Sequence, residues 1–444
     1  MDYTSLANRD IKEMLEVIGV SSVDELFSQV PESFKLGKPL ELPWLRSEEE
    51  VTARMAELSG KNSGTHTHVS FLGAGAYEHI TPAVMKHLLG RSEFYTSYTP
   101  YQPELAQGTL QGMFEFQTMV CEITALEVAN ASMYDGSTAT AEAALMASRI
   151  TGQKKILVSS LLHPEYRRVL KTCLLQNEIV EIPLTGRGLT DMDFLAESVD
   201  EGVAAVVVQN PNFFGAIEDL DLVSRVVSGQ KALFIVVTSE PFCYGILKSP
   251  GQVGADIAVG EFQPFGLALN YGGPYAGYFA SRKEYLRQMP GRIVGETVDG
   301  KGNRGFVVTI ATREQHIRRE RATSNICTSQ SLCALGTVVF LSLIGKEGFR
   351  EISLQNLSKT EYAKSRLREV VEVPFDCPTF NEFVYRCSNS GVVLKKLIEA
   401  GYLGGAPLEG YYPELKGHIL FTVTERRTKE EIDGFIEALK GALN

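Results

Sequence analysis

The feature that most constrains this chain is a long alternation of short apolar segments with helical ones, from about residue 65 to 325. The segments Lys155 to Ser159, Ile179 to Pro183, Ala204 to Gln209, Ala232 to Thr238, Asp256 to Val259 and Tyr275 to Ala280 read as strands. Helical patterns such as Thr140 to Arg149 and Pro164 to Leu174 lie between several of them. Apolar strands interleaved with helices predict a mostly parallel sheet buried on both faces, with ligands at the carboxyl ends of its strands.

Two flanking regions read differently. Over residues 1–62 the pattern predicts a helical arm: Ile11, Met14, Leu15 and Ile18 share one helix face that Gly19 can end. Ser22 with Glu25 fits a capping box for a second helix, prolines 31, 39 and 43 interrupt, and Glu48 to Leu58 is helical again. Residues 63–328 form the large domain, and 329–444 a smaller C-terminal α/β domain. The latter opens on an apolar helix, Ser331 to Leu343, and carries strands near Phe380 to Arg386 and His418 to Thr424. It closes on a helix capped by Thr428 and Glu431, with Ile432, Phe435, Ile436 and Leu439 as its apolar face.

Composition removes several function classes. A net charge of −11 disfavours nonspecific nucleic-acid binding, which neutralises phosphates with Lys and Arg. No apolar run approaches a membrane span and no secretory pattern opens the chain, so a cytoplasmic protein is expected. The seven cysteines are scattered without a Cys-x-x-Cys spacing, which suits buried free thiols in a reducing compartment.

Candidate chemistry gathers at predicted strand ends. Gly136, Ser137 and Thr138 open a helix, where backbone N–H groups either bind an anion such as phosphate or are simply N-capped. His163 follows a strand, where its imidazole can stack on a flat ring or serve as an ordinary hydrogen-bonding group. Asn210 closes the next strand in a tight loop. His66 and His68 alternate on a predicted strand but lack a third ligand, so no metal site is expected. Arg313, Arg318, Arg319 and Arg321 form a basic cluster offset by Glu314 and Glu320, read as a paired network or an acidic-partner surface. Tyr95, Tyr98 and Tyr101, mixed with prolines and hydroxyls, make a rigid aromatic loop that either packs in the core or, the favoured reading, serves an interface.

The stretch Gly254 to Gly277 carries the sharpest signal. An apolar strand runs into a glycine-rich loop, a place where many pyridoxal-phosphate enzymes put a His-Lys pair whose lysine makes a Schiff base with the cofactor. Here the pair is Gln263-Pro264, and proline has no amine. The preceding strand ends in Thr238-Ser239, where such enzymes place an aspartate against the pyridine nitrogen. Two electronic requirements are missing together, which points to a degenerate site.

Several motifs carry a resemblance over nearly the whole chain: Phe71-Leu-Gly-Ala-Gly-Ala-Tyr77, Tyr98-Thr-Pro-Tyr-Gln-Pro-Glu104, Asn130-Ala-Ser-Met-Tyr-Asp-Gly136, Arg313-Glu-Gln-His-Ile-Arg-Arg319 and Ala322-Thr-Ser-Asn-Ile-Cys-Thr328. They resemble the glycine cleavage system P-protein family, in the α-chain branch of its two-chain bacterial form. That resemblance implies an α/β fold of the fold type I, pyridoxal-phosphate-dependent transferase type. It also implies a homologous β chain, subunit 2, that carries the Schiff-base lysine and the cofactor. The pair would decarboxylate glycine and pass the aminomethyl group to the lipoyl arm of H-protein.

On that expectation this chain holds no catalytic residue of its own. Gly136, Ser137, Thr138, His163, Asn210, Thr238, Gln263 and Pro264 mark a degenerate cofactor pocket. Tyr95, Tyr98, Thr99, Tyr101 and Gln102 reach toward the partner's site. Two other readings compete: a self-sufficient pyridoxal-phosphate amino-acid decarboxylase whose lysine lies elsewhere, with Lys248 nearest, or a non-catalytic binding or regulatory relative.

Overall fold

The computed structural model describes residues 6–38, 40–42, 46–95 and 100–444. Two compact units emerge, Met1–Asn62 and Ser63–Asn444. In the first, helix Asn8–Ile18 ends at Gly19 in the left-handed region (φ 85°), and helix Glu48–Ser59 starts on a Ser47–Glu50 capping box. The capping signal at Ser22 and Glu25 opens only a single 3-10 segment, Val23–Phe27.

The second unit is built on a seven-stranded sheet. Its spatial order is Val128–Ala129, Gly277–Ser281, Ile257–Glu261, Leu233–Thr238, Val203–Gln209, Lys155–Ser159 and Glu178–Ile182. Five neighbouring strands run parallel, and Gly277–Ser281 runs antiparallel to both its neighbours. Residues 203–209 and 233–238 are buried without exception, as continuous apolar runs in a doubly covered sheet must be. Helices Gly136–Thr151 and Pro164–Cys173 pack on one face through Ala143, Ala147 and Leu170.

A three-stranded antiparallel sheet, Glu382–Arg386, His418–Thr422 and Ala406–Pro407, forms the C-terminal layer, covered by helices Ser390–Glu399 and Lys429–Leu443. The apolar helix starting at Ser331 runs on to Leu367 and is interrupted at Gly345 (φ 58°, ψ −173°). By length and composition it could cross a membrane. Ala334, Val338 and Phe340 nevertheless pack into the core beside Phe116, Phe262 and Phe265.

Two local expectations are corrected, and one element is new. His66 lies in a turn and His68 in a bend, with the His68 ring between Thr67 Oγ1 and the carbonyl of Ile398, so the two do not alternate on a strand. Cys173 and Cys327 are exposed, while Cys243, Cys377 and Cys387 are buried. A hairpin, Ile293–Val298 with Arg304–Thr309, joins the large sheet to the segment after it and had no predicted counterpart.

Candidate functional site

The predicted pocket residues converge at the carboxyl ends of the parallel strands. His163 follows Lys155–Ser159, Asn210 follows Val203–Gln209, Thr238 ends Leu233–Thr238, and Gln263 and Pro264 follow Ile257–Glu261. Gly136, His163, Asn210, Thr238, Gln263 and Pro264 are all buried. His163, Asn210, Thr238 and Gln263 each hydrogen-bond within the chain.

The helix N-terminus at Gly136 is filled by carboxylates. Glu261 Oε2 accepts the Gly136 N–H at 3.1 Å, and Glu261 Oε1 accepts the N–H groups of Phe262, Gln263 and Ala276. Asp135 Oδ1 accepts the Thr138 N–H at 2.8 Å and the Ser137 hydroxyl at 2.6 Å. Asp135 and Thr138 thus complete a capping box, and the N–H groups of Gly136 and Thr138, which make a helix start attract anions, are already paired with carboxylates. Burial pushes the Glu261 carboxyl up to about 7 against its backbone hydrogen bonds, with the Asp135 charge adding to the rise.

The His163 ring is covered as well. It stacks on Tyr166 with ring centroids 4.8 Å apart and meets the edge of Phe213 at 4.9 Å. Its Nδ1 accepts the Glu165 N–H, so Nε2 carries the proton and donates to the Ala74 carbonyl at 2.8 Å. Burial lowers its pKa, leaving a neutral imidazole. The Tyr166 hydroxyl reaches the start of the helix, so close that a Cβ on Gly136 would lie 2.3 Å from it. Only glycine fits there.

Thr238 Oγ1 donates to the Asn210 carbonyl at 2.8 Å and lies 2.5 Å from the Tyr244 hydroxyl. Asn210 Oδ1 accepts the Glu218 N–H. Both polar atoms of the Gln263 amide are used: Oε1 accepts the Tyr77 N–H, and Nε2 donates to the carbonyls of Tyr77 and Leu267.

The segment Gly73 to Ile80, which the sequence did not mark as part of a site, threads across these strand ends. Gly75 (φ 97°) passes so near His163 that a Cβ would lie 2.7 Å from Nε2. The Tyr77 hydroxyl donates to Glu382 Oε2, and the Ala74 N–H to Glu382 Oε1. His79 bridges Glu240 (2.8 Å) and Glu425 (2.7 Å), all three side chains buried. Burial alone would lower the His79 pKa, but the two carboxylates raise it to about 10, so the ring is cationic at neutral pH.

The aromatic loop is described only at its ends, since Tyr98 and Thr99 lie outside the described residues. Tyr95 and Gln102 are exposed. Tyr101 is exposed too, and its hydroxyl accepts from Arg292 Nη2 at 3.1 Å, with the Arg292 guanidinium 5.2 Å from its ring centroid. Glu314 lies 3.5 Å from both Arg292 and His316, and its charge also acts on Arg313 of the basic cluster. Among the described residues no group of three or more His, Cys, Asp or Glu is arranged to hold a metal.

The model of the glycine cleavage system P-protein matches residues 1–439. The chain belongs to the P-protein family. Among its relatives, "probable glycine dehydrogenase (decarboxylating) subunit 1" of Carboxydothermus hydrogenoformans is 50% identical, covering 99% of this chain and 100% of that one. The protein of the same description from Brevibacillus brevis is 50% identical over 97% of this chain and 96% of its own length. A crystal structure of glycine decarboxylase (P-protein) of the glycine cleavage system, in inhibitor-bound form, superposes with a TM-score of 0.91 at 42% identity over the full length of both chains. A NifS-like protein at 15% identity shares the fold, with a TM-score of 0.63 over 85% of this chain and 99% of its own. This P-protein thus has a fold type I pyridoxal-phosphate-dependent architecture and is an enzyme subunit of the glycine dehydrogenase type, an oxidoreductase of the glycine cleavage system.

Proposed function

We propose that this chain is the subunit of glycine dehydrogenase that does not carry the cofactor. It pairs in the cytoplasm with a homologous subunit 2 that holds pyridoxal phosphate on a lysine. The two together decarboxylate glycine and transfer the aminomethyl group to the lipoyl arm of H-protein. The observation that carries the reading is the self-filled strand-end site. Pro264 offers no amine, and Thr238 offers no charge for a pyridine nitrogen. A carboxylate, Glu261, sits on the Gly136 N–H where a phosphate would need it, and Tyr166 and Phe213 cover His163. These residues do not fit the cofactor.

On this reading the chain contributes shape and hydrogen bonds to the partner's site, with the aromatic loop from Tyr95 to Gln102, including Tyr98 and Thr99, as the contributing element. Among its described residues, Tyr101 is held by Arg292. A self-sufficient decarboxylase built on Lys248 has less support: that amine is ion-paired with Asp221 at 2.7 Å on an exposed surface. The deciding experiment mixes the purified chain with subunit 2 and measures glycine–bicarbonate exchange and cofactor absorbance. Exchange that needs both chains, with lysine-bound cofactor on subunit 2 alone, is the expected result. Lysine-bound cofactor on this chain by itself would overturn the reading.

A further inference from the structure

We propose that a cavity of about 660 Å³, lined by Arg287, Arg313, Arg318 and Arg321, binds a small phosphoryl-bearing molecule. Thr312 and Thr323 add hydroxyls to its wall, and no carboxylate lines it. The arginines come from three segments: the turn after the strand Gly277–Ser281, the short segment after the hairpin, and the irregular stretch before the core helix.

The charge balance of this cavity sets it apart from the rest of the molecule. The chain has 54 acidic against 43 basic residues, so cations here have carboxylates to choose from. Arg321 lies 3.9 Å from Glu320, an exposed contact that contributes little. Arg318 donates from Nε to the Thr312 carbonyl at 3.1 Å, and its other N–H groups have no hydrogen-bond partner among the described residues. Arg287 has no hydrogen-bond or ion-pair partner among the described residues.

Arg313 forms the floor. It is only 8% exposed, and its guanidinium donates to the carbonyls of Ile310, Gly291 and Met289. Those bonds fix the walls; Arg313 makes no ion pair among the described residues, and the Glu314 charge only partly offsets the cost of burying it. Glu314, its sequence neighbour, is turned toward Arg292 and His316. Four guanidiniums facing one concavity repel one another, and an oxyanion inside relieves that repulsion.

The shape favours a small ligand over an acidic protein face. The volume falls in the range of small-molecule sites, and convergent guanidinium forks match the paired oxygens of a phosphoryl group. Threonine hydroxyls supply the neutral donors that such groups also use.

The test is calorimetric titration of the two-subunit enzyme with pyrophosphate and, separately, inorganic phosphate. The proposal expects one saturable pyrophosphate site per copy of this chain. Its affinity should fall by about tenfold or more in an Arg318→Gln/Arg321→Gln double variant and in Arg287→Gln, and stay unchanged in Arg350→Gln. Arg313 is left intact because its bonds hold the walls. Should the double variant fail to fold, Arg287→Gln alone carries the comparison. Absence of saturable binding overturns the proposal. So does an equal loss in Arg350→Gln, or uptake of hexaglutamate in preference to pyrophosphate. The readout is binding, so it is independent of which subunit holds the catalytic cofactor.

Discussion

Glu261 lies with its carboxylate 3.1 Å from the backbone N–H of Gly136, so the chain supplies its own anion to the helix start at the centre of the fold. On the proposed reading this contact takes up an N–H that a phosphate would need. Its consequences can be measured through the proton that the carboxyl binds.

Burial raises the Glu261 carboxyl to about 7 from an ordinary value of 4.5. Between those values the folded state binds more protons than the unfolded state, so this group costs stability as pH rises from about 4.5 to about 7. The cost is absent below that window and full above it, on the order of 3 kcal/mol. Glu261→Gln should therefore show a flatter decline of unfolding free energy across this window than the parent, whatever its pH-independent cost. Denaturant titrations at a series of pH values check this, and identical slopes would refute it.

His79 behaves in the opposite direction. Its folded pKa, about 10, lies above the unfolded value of 6.5, so its contribution is complete below about 6.5 and lost as pH rises toward 10. His79→Ala leaves Glu240 and Glu425 buried without their shared cation, at a cost of about 3–5 kcal/mol. The variant should also lack the parent's loss of stability between neutral and alkaline pH. Thermal melts of the two proteins at pH 7 and pH 9.5 distinguish this from a simple packing defect.

The strands of the large sheet were legible because doubly buried strands are continuous apolar runs, as at residues 203–209. The antiparallel direction of Gly277–Ser281 was not, since strand direction depends on which connection precedes it. At the site, the missing amine at Pro264 and the missing charge at Thr238 could be read directly from side-chain chemistry. The contacts that fill these strand ends could not. Tyr77 meets Gln263 and Glu382 across 186 and 305 residues of sequence, and no local pattern announces contacts of that range. Glu261 left one trace, a carboxylate ending an otherwise apolar strand.

On the proposed reading, Tyr101 should separate the assembly's activity from the chain's stability. It is exposed and held from one side by Arg292, so Tyr101→Ala should shift the melting temperature of the isolated chain by no more than a degree or two. In the reconstituted two-subunit enzyme the same change should lower glycine–bicarbonate exchange by about tenfold or more, the loss of one positioned contact. Tyr101→Phe, which keeps the ring over Arg292 but removes the hydroxyl, should lie between the two. Full exchange activity in Tyr101→Ala would remove this loop from the partner's site.

Restoring the missing lysine should not restore a cofactor site. Pro264→Lys supplies an amine, but Thr238 still offers no negative charge and the Gly136 N–H still faces Glu261. Tyr166 remains stacked on His163, and Gly75 still brings the Gly73 to Ile80 segment against that ring. A new buried lysine would moreover lie among groups that already satisfy one another. The expected outcome for Pro264→Lys is a destabilised chain that shows no visible absorbance with pyridoxal phosphate and yields no borohydride-trapped peptide at position 264. Stoichiometric trapping at that lysine would mean that the site was closed by one residue alone, and that Glu261 and Tyr166 yield to the cofactor.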